Sequence, residues 1–190
     1  MNDHRITRRS TLAAGLGGGL AMLPLRRALA AYPDRPIKWI VPYAAGGGSD
    51  VIARLVSAGL SQRLGQSFVI DNRPGGATNI GAEAAAKSPP DGYTALTADN
   101  GTLVFNPALF RKLPYDVDRD FRPVGLLARF HMVLAVTKEA PARSARDFVE
   151  RARAAPRSIN YGSAGIGSPH HLTMARLARE TGIELTHVPY

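Results

Sequence analysis

The chain has 190 residues, of which 45% are hydrophobic and 21% are charged, a composition typical of a soluble globular protein. It contains no cysteine, which excludes disulfides, thiolate catalysis and a zinc site built on cysteine. The net charge is +9, but residues 1–30 supply +4 of it and the remaining charges are scattered, so we expect no nucleic-acid partner.

The first 31 residues have the layout of an export signal. A basic start is followed by an uncharged stretch over 10–25 and by the small residues Ala28–Ala30, which form a cleavage site. The pair Arg8 and Arg9 resembles a twin-arginine signal, and an ordinary secretory (Sec) signal is the alternative. We therefore expect a periplasmic protein whose mature chain begins at residue 31 or 32.

From residue 37 onward, short apolar runs alternate with amphipathic segments. This alternation predicts an α/β protein with a mainly parallel sheet covered by helices. The predicted strands cover 37–43, 67–72, 93–99, 124–130, 132–138, 159–163 and 184–190, and the predicted helices cover 49–64, 80–88, 144–155 and 169–180.

The first predicted strand runs into a glycine loop, "VPYAAGGGSDVIARLV". Ser49 is the predicted N-cap of the following helix, and Gly65 is predicted to end that helix. The loop lacks the third glycine of a dinucleotide fingerprint and the lysine of a P-loop. What remains is a helix N-terminus that can receive an anion, or a turn with a purely structural role.

A second loop, "YGSAGIGSPHHL", repeats this plan of strand, small residues and helix start. Ser163 and Ser168 place hydroxyl groups beside the new helix N-terminus. In open α/β sheets, ligands bind at the carboxyl ends of the strands, where both loops lie. The pair therefore predicts a cleft with backbone donors on two walls.

Catalytic and metal-binding interpretations find weaker support. Ser163 resembles the serine of a nucleophile elbow, but that motif requires glycine at position 161, where the chain has tyrosine. His170 and His171 are adjacent, so they do not form an i, i+4 metal pair, and we expect them to cap the helix or pack in the loop. The alternating aspartates at 116, 118 and 120 lack the glycine and glutamate of a calcium loop. We expect no catalytic residues, no metal and no cofactor.

Four stretches of the mature chain together resemble a known family. They are "YPDRPIKWIVPYAAGGGSDVIARL", "LGQSFVIDNRPGGATNIGAEAAAKSPPDGYT", "NPALFRKLPYDVDRDFRPV" and "INYGSAGIGSPHHLTMARLARETGIELTHVPY". In order and spacing they resemble the Bug (TctC) proteins, the extracytoplasmic solute receptors of tripartite tricarboxylate transporters. The resemblance implies a periplasmic binding protein-like (type II) α/β fold, with two domains around a cleft.

The resemblance also implies a domain division. We expect a first domain over 32–130 and a second over 131–190. Because family members continue past "HVPY", the second domain is expected to be incomplete. A nonfunctional truncated fragment is therefore one alternative to a receptor, and an exported α/β hydrolase is the other.

The resemblance implies that the protein is a receptor without enzymatic activity. Its partners are a small carboxylate and the integral-membrane subunits of the transporter, and the protein itself is expected to be a monomer. The identity of the carboxylate is left open, because recognition through amides and water encodes little about the rest of the ligand. The expected ligand-binding residues are Tyr43, Ala45, Gly46, Gly47, Gly48, Ser49 and Asp50 in the first loop, Asp99, Asn100, Gly101 and Thr102 after the third strand, and Ser163, Ala164, Gly165, Gly167 and Ser168 in the second loop.

Overall fold

The computed structural model describes residues 32–190, and the predicted signal peptide lies outside the described residues. The strands are β1 (Ile37–Val41), β2 (Phe68–Asn72), β3 (Thr94–Leu96), β4 (Asn160–Ser163) and β5 (Thr186–Pro189). The helices are α1 (Gly48–Leu64), α2 (Asn79–Ala86), α3 (Asn106–Leu109), α4 (Val117–Asp120), α5 (Ala145–Ala154) and α6 (Pro169–Thr181), with a π-helical turn over Gly101–Phe105 before α3.

The first sheet is parallel and has the strand order β2-β1-β3. Strand β1 is central, and its four apolar residues are buried, while Lys38 is exposed. Trp39 and Val41 of this strand pack against Ala53 of α1. Helix α1 ends at Gly65, which has a left-handed φ of 68°, so the predicted C-terminal end of this helix is confirmed.

The second sheet pairs β4 with β5 in parallel, and α6 connects them. Phe148 and Ala152 of α5 pack with Ile183, which follows α6, to form a second buried cluster. The five arginines between 143 and 157 are all exposed, and Arg151 pairs with Asp147 on the surface of α5. The arginine cluster is therefore a solvated helix face.

Two predicted strands do not form. The apolar runs over 124–130 and 132–138 have no regular secondary structure, and Val124 and Val133 are exposed. An apolar run becomes a strand only when a neighbouring strand accepts its backbone hydrogen bonds, and within residues 32–190 these runs pair with none. The third strand is also shorter than predicted, because only Thr94–Leu96 pairs with β1. The domain boundary at 130/131 stays a prediction.

Candidate functional site

The first glycine loop is held closed by a buried carboxylate. Asp50 is 2% exposed and accepts hydrogen bonds from the Gly46 amide at 2.8 Å, Arg54 Nε at 2.9 Å and Asn72 Nδ2 at 3.0 Å. These contacts, the one from Arg54 above all, lower the pKa of Asp50 to about 2. Its carboxylate is therefore ionised, and it holds the loop from the buried side through the Gly46 amide.

The prediction of Ser49 as the N-cap of α1 is wrong. The helix begins one residue earlier, at Gly48, and its N-cap is Gly47, which has no side chain that could accept a hydrogen bond. The Gly47 amide instead donates to the Ala44 carbonyl at 3.3 Å. The carboxylate of Asp50, which reaches back to the Gly46 amide, takes the place of a serine cap because an ionised oxygen is the stronger acceptor.

Tyr43 connects the first loop to the segment after β3. Its hydroxyl donates a hydrogen bond of 2.6 Å to Asp99 Oδ2, while Asp99 Oδ1 accepts from the Thr102 amide at 3.1 Å. Burial and the charge of Asp99 raise the pKa of the Tyr43 hydroxyl, which therefore stays protonated. Asn100 is exposed beside this pair.

The second glycine loop is tied down at both ends. Ser163 Oγ accepts from the Gly165 amide at 3.2 Å, and the Gly167 amide donates to His171 Nδ1 at 3.1 Å. Ser168 is the N-cap of α6, and its hydroxyl accepts from the His171 amide at 3.3 Å, which is the usual role of a serine at a helix start. The interpretation of His171 as a loop-packing side chain is confirmed.

Each loop leaves several amides without an internal partner. Across residues 32–190, the amides of Gly48 and Ser49 in the first loop and of Ala164, Ile166 and His170 in the second form no hydrogen bond. They lie at or beside the N-termini of α1 and α6, where the helix dipole favours negative charge. The arrangement can therefore bind an anion through main-chain donors.

The fold brings the start of α6 against the first sheet. A β-carbon at Gly101 would lie 3.5 Å from Pro169 Cδ and 3.6 Å from the Tyr43 hydroxyl. A β-carbon at Gly167 would lie 3.2 Å from Ala77 Cβ. Glycine is needed at Gly101 because a β-carbon there would also lie only 2.9 Å from Asp99 Oδ1, and at Gly167 because its φ is 79° and the approach to Ala77 is tight.

Sequence reasoning missed the segment that Gly167 contacts. Ala77 and Thr78 have positive φ angles of 55° and 75°, an uncommon conformation for alanine and a strained one for a β-branched threonine. By its sequence, the stretch "RPGGATN" indicates only a turn, since left-handed backbone is expected of its glycines and not of Thr78. This third segment lies between β2 and α2, beside the second loop.

A buried polar network holds Thr78 in this conformation. The Thr78 hydroxyl accepts from Thr102 Oγ1 at 2.9 Å and from Asn106 Nδ2 at 3.2 Å. Tyr115, also buried, donates to the Thr102 carbonyl at 3.1 Å. The side chain of Thr102, predicted to bind ligand, is therefore engaged inside the protein. Asn106 Oδ1 is buried, and no group of the described residues donates to it.

The predicted site residues fall into two groups. Around Pro169, the structure brings together Tyr43, Asp99 and Gly101. By contrast, the β-carbon positions of Gly46 and Gly48 have open space around them, and Ala45 and Ala164 are exposed. The site is thus closely packed around Pro169 at the start of α6, and the two glycine loops are exposed at Gly46, Gly48, Ala45 and Ala164.

Ser163 also lies 2.6 Å from His187 Nε2, a pairing that the sequence did not indicate because β5 follows 24 residues later. A serine–histidine pair is part of a catalytic triad, whose third member orients the histidine through Nδ1. Within residues 32–190 no carboxylate bonds to His187. Its ring instead stacks between Tyr161 and His171, so the contact holds the loop.

Within the described part of the chain, no three or more metal-ligating side chains form a group that could hold a metal ion. No helix among residues 32–190 is long and apolar enough to span a bilayer. Two open depressions lie elsewhere, one beside α6 and β5 and one beside the π-helical turn. The candidate site is therefore defined by its unpaired main-chain donors and not by an enclosed cavity.

Two parallel sheets, each with a glycine loop between a strand and a helix N-terminus and with amides that can receive an anion, define a class: α/β proteins of the periplasmic solute-binding type. Comparison with known proteins identifies the family. The model of the tripartite tricarboxylate transporter family receptor, TctC, matches residues 52–190, so the chain belongs to this family.

Individual relatives agree with this assignment. The chain is 42% identical over 162 residues to the UPF0065 protein in the tcbD-tcbE intergenic region of Pseudomonas sp. (strain P51), covering 85% of this chain and 48% of that protein. The structure of R. palustris Rpa4515 with adipate has a TM-score of 0.80 and 43% identity, over 84% of this chain and 53% of that one.

A third comparison concerns MatC (Rpa3494) from Rhodopseudomonas palustris with bound malate. Its TM-score is 0.73 at 32% identity, over 84% of this chain and 54% of that one. The chain spans about half the length of these relatives. The predicted family and the predicted α/β fold are confirmed.

Proposed function

We propose that this protein is an exported receptor that binds a small carboxylate between its two glycine loops and delivers it to the integral-membrane subunits of a tripartite transporter. In this proposal it acts as a monomer in the periplasm, and it uses no cofactor or metal. The carboxylate contacts the loops predicted from the sequence, with Asp99 and Asn100 at the edge of the site.

One observation carries the proposal: two helix N-termini present unpaired amides, and the start of α6 lies close to Gly101 and Tyr43 of the first half of the site. Gly48 and Ser49 belong to one set, and Ala164, Ile166 and His170 belong to the other. A carboxylate has two oxygens and accepts from both sets at once. It carries a single charge, which two helix dipoles stabilise without any basic side chain.

Two relatives support a carboxylate as the ligand. The structure of Rpa4515 contains adipate and that of MatC contains malate. These ligands differ in length and in hydroxyl content and share the carboxylate group. A site that relies on backbone amides suits the shared group, so side chains such as Asp99 are left to distinguish the rest of the ligand.

Ligand-dependent thermal stabilisation tests the proposal. A ligand that binds only the folded state adds about 2.7 kcal/mol of stability at a hundredfold excess over its Kd. We expect a subset of mono-, di- and tricarboxylates, screened with adipate and malate included, to raise the Tm of the purified protein. The absence of any shift across the screen would contradict the proposal.

The substitution Gly47→Val tests whether the carboxylate binds at the first glycine loop. A β-carbon at Gly47 would lie 3.3 Å from the Ala44 carbonyl, and the larger side chain would project over the exposed loop. We expect at least about tenfold weaker binding, which is a loss of about 1.4 kcal/mol. Gly59→Val is the matched control, because Gly59 is exposed on α1 with open space around it.

An exported hydrolase is the second candidate, favoured by the distance of 2.6 Å between Ser163 Oγ and His187 Nε2. The two functions differ in turnover. The receptor is expected to bind carboxylates and to leave a chromogenic acetate ester intact. Hydrolysis of that ester that disappears in Ser163→Ala would favour the hydrolase.

A further inference from the structure

Three aromatic rings stack beside the second glycine loop. Tyr161 of β4 lies 4.9 Å from His187 of β5, and His187 lies 4.2 Å from His171 of α6, measured between ring centroids. The interplanar angles are 20° and 14°, so the rings are nearly parallel. The stack therefore links both strands of the second sheet to the first turn of α6.

Each imidazole holds one end of the loop. His187 Nε2 lies 2.6 Å from Ser163 Oγ, at the end of β4. His171 Nδ1 accepts the Gly167 amide at 3.1 Å, just before α6. The unpaired amides of Ala164 and Ile166 lie between these two attachment points. The histidines thus set the path of the segment that presents the donors.

We propose that His171 is a positioning residue that holds the second loop in its binding conformation only while its imidazole is neutral, so that affinity for carboxylates falls when His171 is protonated. The inference rests on the proposed receptor function and adds to it a residue outside the predicted site. It also adds a dependence on pH that main-chain amides alone would not have.

The chemistry of one hydrogen bond leads to this dependence. A neutral imidazole accepts at Nδ1, whereas an imidazolium carries protons on both nitrogens and has no acceptor. A protonated Nδ1 would face the Gly167 amide hydrogen, donor against donor, and the loop would have to move. The loop has little room to adjust, because a β-carbon at Gly167 would already lie 3.2 Å from Ala77 Cβ.

The surroundings of His171 favour its neutral form. Burial lowers the pKa of His171, and the stacked His187 lowers it further because two adjacent imidazoles resist sharing positive charge. Beyond His187 the stack ends in Tyr161, a neutral phenol. On the side of the first sheet, the carboxylate of Asp99 and the hydroxyl of Tyr43 lie near Pro169, which begins the same helix.

The direction of the pH dependence follows from the lowered pKa of His171. When the loop is released, His171 titrates near its usual value of 6.5. The neutral imidazole therefore supports the loop fully above that pH, and the support is lost as pH falls through the lower pKa of the closed loop. The carboxyl groups of small acids titrate near about pH 4, and the second group of a dicarboxylic acid titrates somewhat higher. Any loss of affinity that comes from the ligand's own titration is shared by all variants, so the contribution of His171 is the difference between wild type and a variant that cannot titrate at this position.

The test compares the Kd for adipate and for malate at pH 7.5 and pH 5.5 in three variants. His171→Asn keeps an acceptor near the position of Nδ1 but cannot titrate, so we expect binding within about threefold of wild type at pH 7.5 and a smaller loss at pH 5.5 than the wild type shows. His171→Leu removes the acceptor, so we expect binding about tenfold weaker already at pH 7.5. His131→Asn, at an exposed histidine outside both loops, is expected to keep the wild-type profile.

Two results would overturn the inference. Tighter binding by the wild type at pH 5.5 would mean that the imidazolium attracts the carboxylate directly. An unchanged pH profile in His171→Asn would mean that another group titrates.

A measurement without ligand separates this inference from the receptor function. In nuclear magnetic resonance titrations of the wild-type protein, the Gly167 amide shift is expected to follow the same midpoint as His171. Independent midpoints would refute the positioning role even if no carboxylate binds. Shared midpoints without binding would leave the positioning intact and refute the receptor.

Discussion

Replacing Asp50 with asparagine tests whether the first loop depends on an acceptor with full charge. The three partners of the Asp50 carboxylate are all donors: the Gly46 amide, Arg54 Nε and Asn72 Nδ2. An asparagine amide has one oxygen and one NH₂ group. Whichever way it turns, its NH₂ group faces a donor at a position that is 2% exposed. The substitution therefore removes a charge and also leaves a buried conflict.

The size of the effect follows from the pKa of Asp50. The contacts of Asp50 lower this pKa from 3.8 to about 2. At about 1.4 kcal/mol per unit, the shift corresponds to about 2.4 kcal/mol of stability. Arg54, the partner that contributes most, is half-exposed, so solvent screening reduces this figure. We expect Asp50→Asn to cost about 2 kcal/mol, or about 4–8 °C in Tm for a chain of this size.

Because folding lowers the pKa of Asp50, the stability lost in Asp50→Asn depends on pH. A carboxyl group whose pKa is lowered by folding stabilises the protein above its unfolded pKa, and the stability is lost as pH falls through the folded value. The difference between wild type and Asp50→Asn should therefore be full above about pH 4 and should shrink toward about pH 2.

Urea unfolding at pH 7 and pH 3 measures this difference. Asp118→Asn is the control, because Asp118 is exposed and its side chain accepts none of the hydrogen bonds within residues 32–190. A loss below about 0.5 kcal/mol in Asp50→Asn, equal to that of the control, would refute the claim that the carboxylate holds the loop.

Two further predictions concern ligand choice and export. Asp99→Asn removes the negative charge of a carboxylate that accepts hydrogen bonds from Tyr43 and the Thr102 amide. We therefore expect adipate, a negatively charged ligand, to bind about tenfold more tightly, measured by calorimetry. An unchanged Kd would place the ligand beyond the reach of this charge. Replacing Arg8 and Arg9 with lysine is expected to trap precursor in the cytoplasm if export uses the twin-arginine route, and normal processing of the double variant would instead indicate a Sec signal.

The elements that could be predicted from the sequence are those encoded over a few neighbouring residues. The apolar residues of β1 and the helix end at Gly65 each depend on local patterns, and both are present. The two apolar runs over 124–138 show the limit of this reasoning. Their composition is that of strands, but a strand also needs a partner, and partners are a property of the whole fold.

The candidate site likewise has parts that the local sequence predicts and parts that depend on residues distant in the chain. Its two glycine loops could be predicted because they follow strands and precede helices. The contact between Ser163 and His187 could not, since it joins residues on separate strands. Nor could the strained Thr78, whose conformation contradicts its own preference and is supported by Thr102 and Asn106 from another part of the chain.

The two loops are supported by different chemistry, and this difference has a functional consequence. The first depends on Asp50, whose pKa of about 2 keeps it charged throughout the physiological range. The second depends on His171, an imidazole whose proton equilibrium lies within reach of ordinary changes in external pH. A receptor that needs donors from both loops at once would therefore keep one wall fixed and lose the other as the medium acidifies. The change with pH would arise entirely at the start of α6, and the first loop would keep its geometry under both conditions.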